Sequence, residues 1–185
     1  MTTIKQLTRA TLLILITASI GHAAHAQETA TFRDPTLQFA LGEYHALKSD
    51  APANNEFDFK LELGSDAALS SRGLSERVEA EVSARLCALN KFRCPEEIEL
   101  TVLAADVPDE SSELIFSALG SSRPANATSE HSYDLSTALG DLAETPSDGV
   151  VLSGTEGNSF GRTTLVVAVS RVTGEALVIG SGWAE

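Results

Sequence analysis

Apolar side chains at 57, 59, 61 and 63 alternate strictly with charged ones through Glu56-Phe57-Asp58-Phe59-Lys60-Leu61-Glu62-Leu63, the period of a β-strand with one buried and one wet face. The period then changes. Leu74, Val78, Val82, Leu86 and Leu89 recur at spacings of four, four, four and three, which predicts a helix over 74–89 with one apolar side. Ser71 or Ser75 could cap its start, Glu81 and Arg85 are spaced for a surface ion pair, and Asn90 suits its left-handed end. Alternation resumes in Glu97-Ile98-Glu99-Leu100-Thr101-Val102, so strand, helix and strand follow one another.

Upstream, Asp34-Pro35 reads as an N-cap and first helical position, and Leu37, Leu41, Tyr44 and Leu47 mark one face of a short helix. Ser49 to Asn55 is rich in breakers and reads as a linker. Downstream, Glu113 to Leu119 is a shorter extended stretch. The region 120–148 is expected to be a long loop or a weak helix, with Tyr133, Leu135, Leu139 and Leu142 suggesting a helical turn or two. Val150-Val151-Leu152 starts a final β region. Thr163 to Val172 and Glu175 to Trp183 flank Thr173-Gly174 as a hairpin whose runs Leu165 to Val169 and Ala176 to Ile179 are apolar on both faces. Such a hairpin belongs in the middle of a sheet, with helices on at least part of its second side. Trp183 is expected to anchor the chain end.

These elements predict an α+β fold: a two-layer sandwich with a mixed or antiparallel sheet, one main helix (74–89) packed on it, and a C-terminal β-hairpin. The chain divides into a leader (1–26), an N-terminal segment with linker (27–55) and a single domain (56–185). No repeat of solenoid or propeller period appears.

The leader changes the chemical context. Lys5 and Arg9 precede an apolar run from Ala10 to Ile20, and Ala24-His25-Ala26 supplies the small residues a signal peptidase needs, so cleavage is expected between Ala26 and Gln27. The run is shorter than the about 20 residues of a membrane span. No cysteine follows the cut to take a lipid anchor, and no later stretch predicts a membrane span. A periplasmic or secreted product follows. In that oxidising space Cys87 and Cys94, the only cysteines of the chain, are expected to form a disulfide, worth about 2–3 kcal/mol by restricting the unfolded chain. Six residues separate them at a helix end, which suits neither a redox-active pair nor, with only His45 and His131 left in the mature chain, a zinc site.

Removing the leader takes the net charge from −13 to −15 and leaves 159 of 185 residues. An acidic surface repels phosphate backbones, so nucleic acid is excluded as a partner and basic protein patches or cations are favoured. Two patterns touch on chemistry. Gly157-Asn158-Ser159-Phe160-Gly161 matches the nucleophile elbow Gly-x-Ser-x-Gly, but that elbow joins a strand to a helix and here a strand follows; no histidine lies beyond His131, which would have to approach Ser159 from upstream. The carboxylates Asp106, Asp109, Glu110 and Glu113 lack the glycine and alternating spacing of a calcium loop. No catalytic, cofactor or metal residue is therefore assigned. In element order the exported strand-helix-strand unit with its closing hairpin resembles small α/β proteins of Gram-negative envelopes, a likeness that carries over no site.

The expected function is that of a non-enzymatic periplasmic accessory protein that binds another envelope protein through 34–48 or 120–148. A small-ligand or cation-binding protein is the alternative, and a serine hydrolase using Ser159 the remote one. The exported product is expected to begin at Gln27, which intact-mass measurement of protein from the periplasmic fraction checks; a product still carrying Met1 contradicts the leader.

Overall fold

Asp34 opens the first helix by accepting the backbone N–H groups of Thr36 and Leu37 on one carboxylate oxygen, at 2.8 and 3.2 Å. Pro35, with no N–H to leave unsatisfied, takes the first position of α1 (Pro35–Ser49). The computed structural model describes residues 30–49, 56–88, 98–103, 129–158 and 161–184. Of the expected linker only Ser49 is among them, as the last residue of α1; residues 50–55, Leu89, Asn90, the extended stretch at 113–119 and the leader lie outside them.

Strand β1 (Glu56–Glu62) leads through a short 3-10 turn, Gly64–Ala68, into α2 (Ser71–Ala88). The cap of α2 is Ser70, whose hydroxyl accepts the N–H of Gly73 at 3.3 Å, in place of the expected Ser71 or Ser75. Ser75 is drawn inward and donates to the Leu100 carbonyl at 2.7 Å. Glu81 pairs with Arg77 one turn before it, leaving Arg85 to lie over the Phe59 ring, 5.9 Å from its centroid. Strand β2 (Leu100–Val102) follows, then α3 (Ser129–Glu144), β3 (Gly149–Asn158), β4 (Gly161–Ser170) and β5 (Glu175–Ala184).

The five described strands form one antiparallel sheet in the order β1-β5-β4-β3-β2. The β4–β5 hairpin is central, and its side chains alternate between two cores. On one face Leu165, Val167, Val169 and Val178 meet Phe57, Leu61 and Leu152 under Leu74, Val78, Val82 and Leu86 of α2. On the other, Val166, Ala168, Leu177 and Ile179 meet Val151 under Leu37 and Leu41 of α1 and Leu135 and Leu139 of α3. The protein is thus an α+β fold with helices packed on a sheet and C-terminal strands, as the hydrophobic pattern predicts. The second face carries its own layer of two helices, because strands that are apolar on both sides need cover on both.

Three elements extend beyond the sequence pattern. Segment 27–55, set apart from the 56–185 domain on sequence, contributes α1 to the core shared with the sheet. Region 120–148 holds α3, with Leu135, Leu139 and Leu142 buried and Tyr133 facing out. Strand β3 runs the full length of β4, from Gly149 opposite Ser170 to Asn158 opposite Gly161, far past the apolar triplet that announces it.

Gly149 and Glu175 both pair with Ser170. The start of α1 sits beside Glu175, and Leu142 near the end of α3 packs on Gly149, so the two helices lie antiparallel on their face. In the β4–β5 turn Gly174 adopts φ +70°, and its carbonyl accepts the N–H groups of Leu63 and Gly64 at 2.7 and 3.0 Å, locking the turn to the end of β1.

A Cβ on Gly180 would stand 2.5 Å from the Thr164 carbonyl oxygen and 2.7 Å from Cζ of Phe57. Gly180→Ala is expected to cost about 1–3 kcal/mol through the shift it forces between β1, β4 and β5, read from the denaturant midpoint; an unchanged midpoint would contradict this packing.

Candidate functional site

The helical layer formed by α1 and α3 contains both segments that the sequence nominates for recognition, 34–48 and part of 120–148. It is tied down at both ends. At the start of α1, the fully buried Glu175 carboxylate accepts four donors. The backbone N–H groups of Arg33 and Asp34 reach Oε2 at 2.9 and 3.2 Å. Arg33 Nε and Lys60 Nζ reach Oε1 at 3.0 and 2.6 Å. Lys60 also donates to the Thr31 carbonyl, and Arg33 to that of Thr173. Burial pushes the Glu175 carboxyl up, but the donors from Lys60, Arg33 and Asp34 outweigh it and bring its pKa down from an ordinary 4.5 to about 2.

At the other end of α1, Glu43, Tyr44 and His45 each make a different attachment. Glu43 meets Nδ1 of His131 on α3 at 2.6 Å. The buried Tyr44 hydroxyl lies 3.2 Å from the Phe57 carbonyl and 3.0 Å from that of Gly180, to which it donates, and burial pushes its pKa up. Nε2 of His45 stands 3.2 Å from Asp58 on β1. The hydrogen bond to Glu43 raises the His131 pKa, with the charges of Glu43, Glu130 and Asp134 adding to it. Protonated His131 therefore strengthens the α1–α3 contact. That contribution is whole below the ordinary imidazole value and is lost as pH rises through the raised one.

Fastened in this way, each helix still turns an aromatic ring to solvent: Phe39 on α1 is 50% exposed and Tyr133 on α3 is 68% exposed.

The other sequence candidates are distributed elsewhere. Ser159 lies outside the described residues; Asn158 ends β3 and is paired with Gly161, which begins the antiparallel strand β4 where the elbow calls for a helix. His131, the imidazole offered to it, is engaged by Glu43. Asp106, Asp109, Glu110 and Glu113 lie outside the described residues, as does Cys94, so the Cys87–Cys94 disulfide is not described; Cys87 itself sits in the last turn of α2. Among the described residues no group of three or more His, Cys, Asp or Glu side chains is placed to hold a metal ion, and no described helix is long and apolar enough to cross a membrane. Sequence reasoning missed Glu175 and the two histidine–carboxylate pairs. One signal was present: a glutamate beginning a strand otherwise apolar on both faces has to find cations.

Comparison with protein-family models, with curated proteins and with solved structures finds no match to this chain.

Because its folded pKa is depressed, Glu175 contributes stability in full above its ordinary 4.5 and loses it as pH falls through about 2. Glu175→Gln keeps the shape and one acceptor but removes the charge. It is expected to cost about 2 kcal/mol at neutral pH and to flatten the acid limb of the stability profile between those two values. Urea titrations across that range check both effects; an acid limb as steep as that of the unaltered protein would assign it to other carboxylates.

Proposed function

We propose that this chain is an exported, non-enzymatic accessory protein of the cell envelope that binds another envelope protein through its α1–α3 layer. The observation that carries this reading is the pair of outward rings, Phe39 and Tyr133, on helices whose opposite sides are fastened to the sheet. Aromatic side chains are the commonest anchors of protein interfaces. When the helices that bear them are already ordered, little conformational freedom is lost on binding. Export rests on the leader, with its basic start, short apolar run and Ala24-His25-Ala26 cleavage site. The acidic balance of the mature chain favours a basic partner surface over nucleic acid.

Removing the segment 34–48 is not a clean test, since Leu37, Leu41 and Tyr44 belong to the core. Point substitution is. Phe39→Ser and Tyr133→Ser are each expected to change folding stability by no more than about 0.5 kcal/mol, because neither ring is buried. Both are expected to reduce recovery of a co-purifying envelope protein. Retention of that protein by the doubly substituted chain, with folding intact, would remove the α1–α3 layer as its binding surface.

A further inference from the structure

The outer faces of α1 and α3 share a composition that the interior of the molecule does not call for. On α1, Pro35, Phe39 and Gly42 recur at spacings of four and three and are all exposed. On α3, the exposed Tyr133 and the half-buried Gly140 stand seven residues apart, on one side of the helix. Each helix therefore presents an aromatic ring and a glycine on the same face. Glycine inside a helix is destabilising relative to alanine. Among the described residues no packing accounts for it, since a Cβ at Gly42 or at Gly140 would meet nothing within 4 Å.

Charge adds an independent direction. Glu130, Asp134, Asp141 and Glu144 run along α3 beside Tyr133 and Gly140, and the helix contains no Lys or Arg. Its one side chain able to take a positive charge, His131, is turned to Glu43. The layer thus offers an apolar row on α1 next to an acidic row on α3, with a glycine in each where a neighbouring backbone can come close.

We propose that this face docks a Lys- and Arg-rich amphipathic helix of the partner protein, with its apolar side over Phe39 and Gly42 and its basic side over the carboxylates of α3. The inference rests on the accessory-protein reading and supplies the chemistry of the partner. An extended strand would seek a sheet edge, which this surface lacks. A second copy of the exported chain would bring a like net charge, −15 without the leader, against the same carboxylates. A basic helix instead matches the row of carboxylates and is steered to it by the net charge of the whole molecule.

The test uses the full chain in intact cells, with a photo-reactive phenylalanine analogue at position 39, at position 133 or, on the opposite layer, at position 76 of α2. Cross-links from 39 and 133, but not from 76, to a Lys- and Arg-rich helical segment of a single protein are expected. With the probe at 133, the double substitution Gly42→Gln and Gly140→Gln is expected to cut cross-link yield about tenfold by filling the two openings. The same substitution should not lower the melting temperature, a combination that a purely structural role for the glycines does not produce. Cross-links from 39 and 133 to a segment without basic residues, or to another copy of this chain, would overturn the proposal. Capture of a partner from 76 alone overturns the surface and leaves the accessory reading standing; capture of no protein from any of the three positions overturns both.

Discussion

Glu175 decides where the first helix lies. A carboxylate without exposed surface is costly to bury, and the cost is offset only where donors occupy its oxygens. Two of its four donors are the backbone N–H groups of Arg33 and Asp34, which fixes the chain one residue before α1 begins. Asp34 then caps α1 with its own side chain, so a buried charge on β5 is converted within two residues into a helix start of defined position. Lys60 on β1 closes the arrangement from the far side. The edge strand, the central hairpin and the α1–α3 layer consequently meet at one carboxylate.

That placement answers a need set by the sheet. Leu177 and Ile179 point away from α2, as do Val166 and Ala168 on the neighbouring strand. Left uncovered, they would form a contiguous apolar surface, each large side chain giving up roughly 1.5–3 kcal/mol of burial. The layer of α1 and α3 covers them. The sheet supplies the apolar demand, the ion cluster supplies the position, and Tyr44 pins the far end of α1 to the carbonyl of Gly180. Without the cluster, burial alone would leave the register of α1 along the sheet weakly specified, because apolar packing is non-directional.

Local chemistry was legible from the amino-acid order, and distant chemistry was not. The Asp34-Pro35 start of α1, the alternation of β1, the apolar stripe of α2 and the Gly174 turn all depend on residues within a few positions of each other, and all appear in the structure where the pattern puts them. Ser70 displaced Ser71 and Ser75 as the cap because Ser75 had a better partner in Leu100, 25 residues away. The later half of β3, Ser153-Gly154-Thr155-Glu156, has no strand pattern of its own and is held by its pairing with β4. Glu175 reads locally as one more acidic residue after a turn; its meaning lies in Arg33, 142 residues earlier in the chain. The candidate surface was half legible in the same sense. Segments 34–48 and 120–148 could be nominated from pattern, but which of their side chains face outward depends on the orientation that Glu175, Tyr44 and the Glu43–His131 pair impose.

A helix whose position is set from outside need not be a strong helix by composition. Within α1 there are a mid-helix glycine and an exposed phenylalanine, and α3 carries a glycine and a run of carboxylates that extends to its C-terminal end, where negative charge opposes the helix dipole. Each is a choice against intrinsic helix stability. Such choices are tolerable because tertiary attachment on the inner side already holds both elements in place: the apolar rows on the sheet, the capped start, the tyrosine hydroxyl and the imidazole bridge. The outer residues are thereby released from the requirements of folding. Where a sequence departs from its local preferences on one face only, and that face is the one turned to solvent, the inner packing bears the stability of the helix and the outer face does not contribute to it.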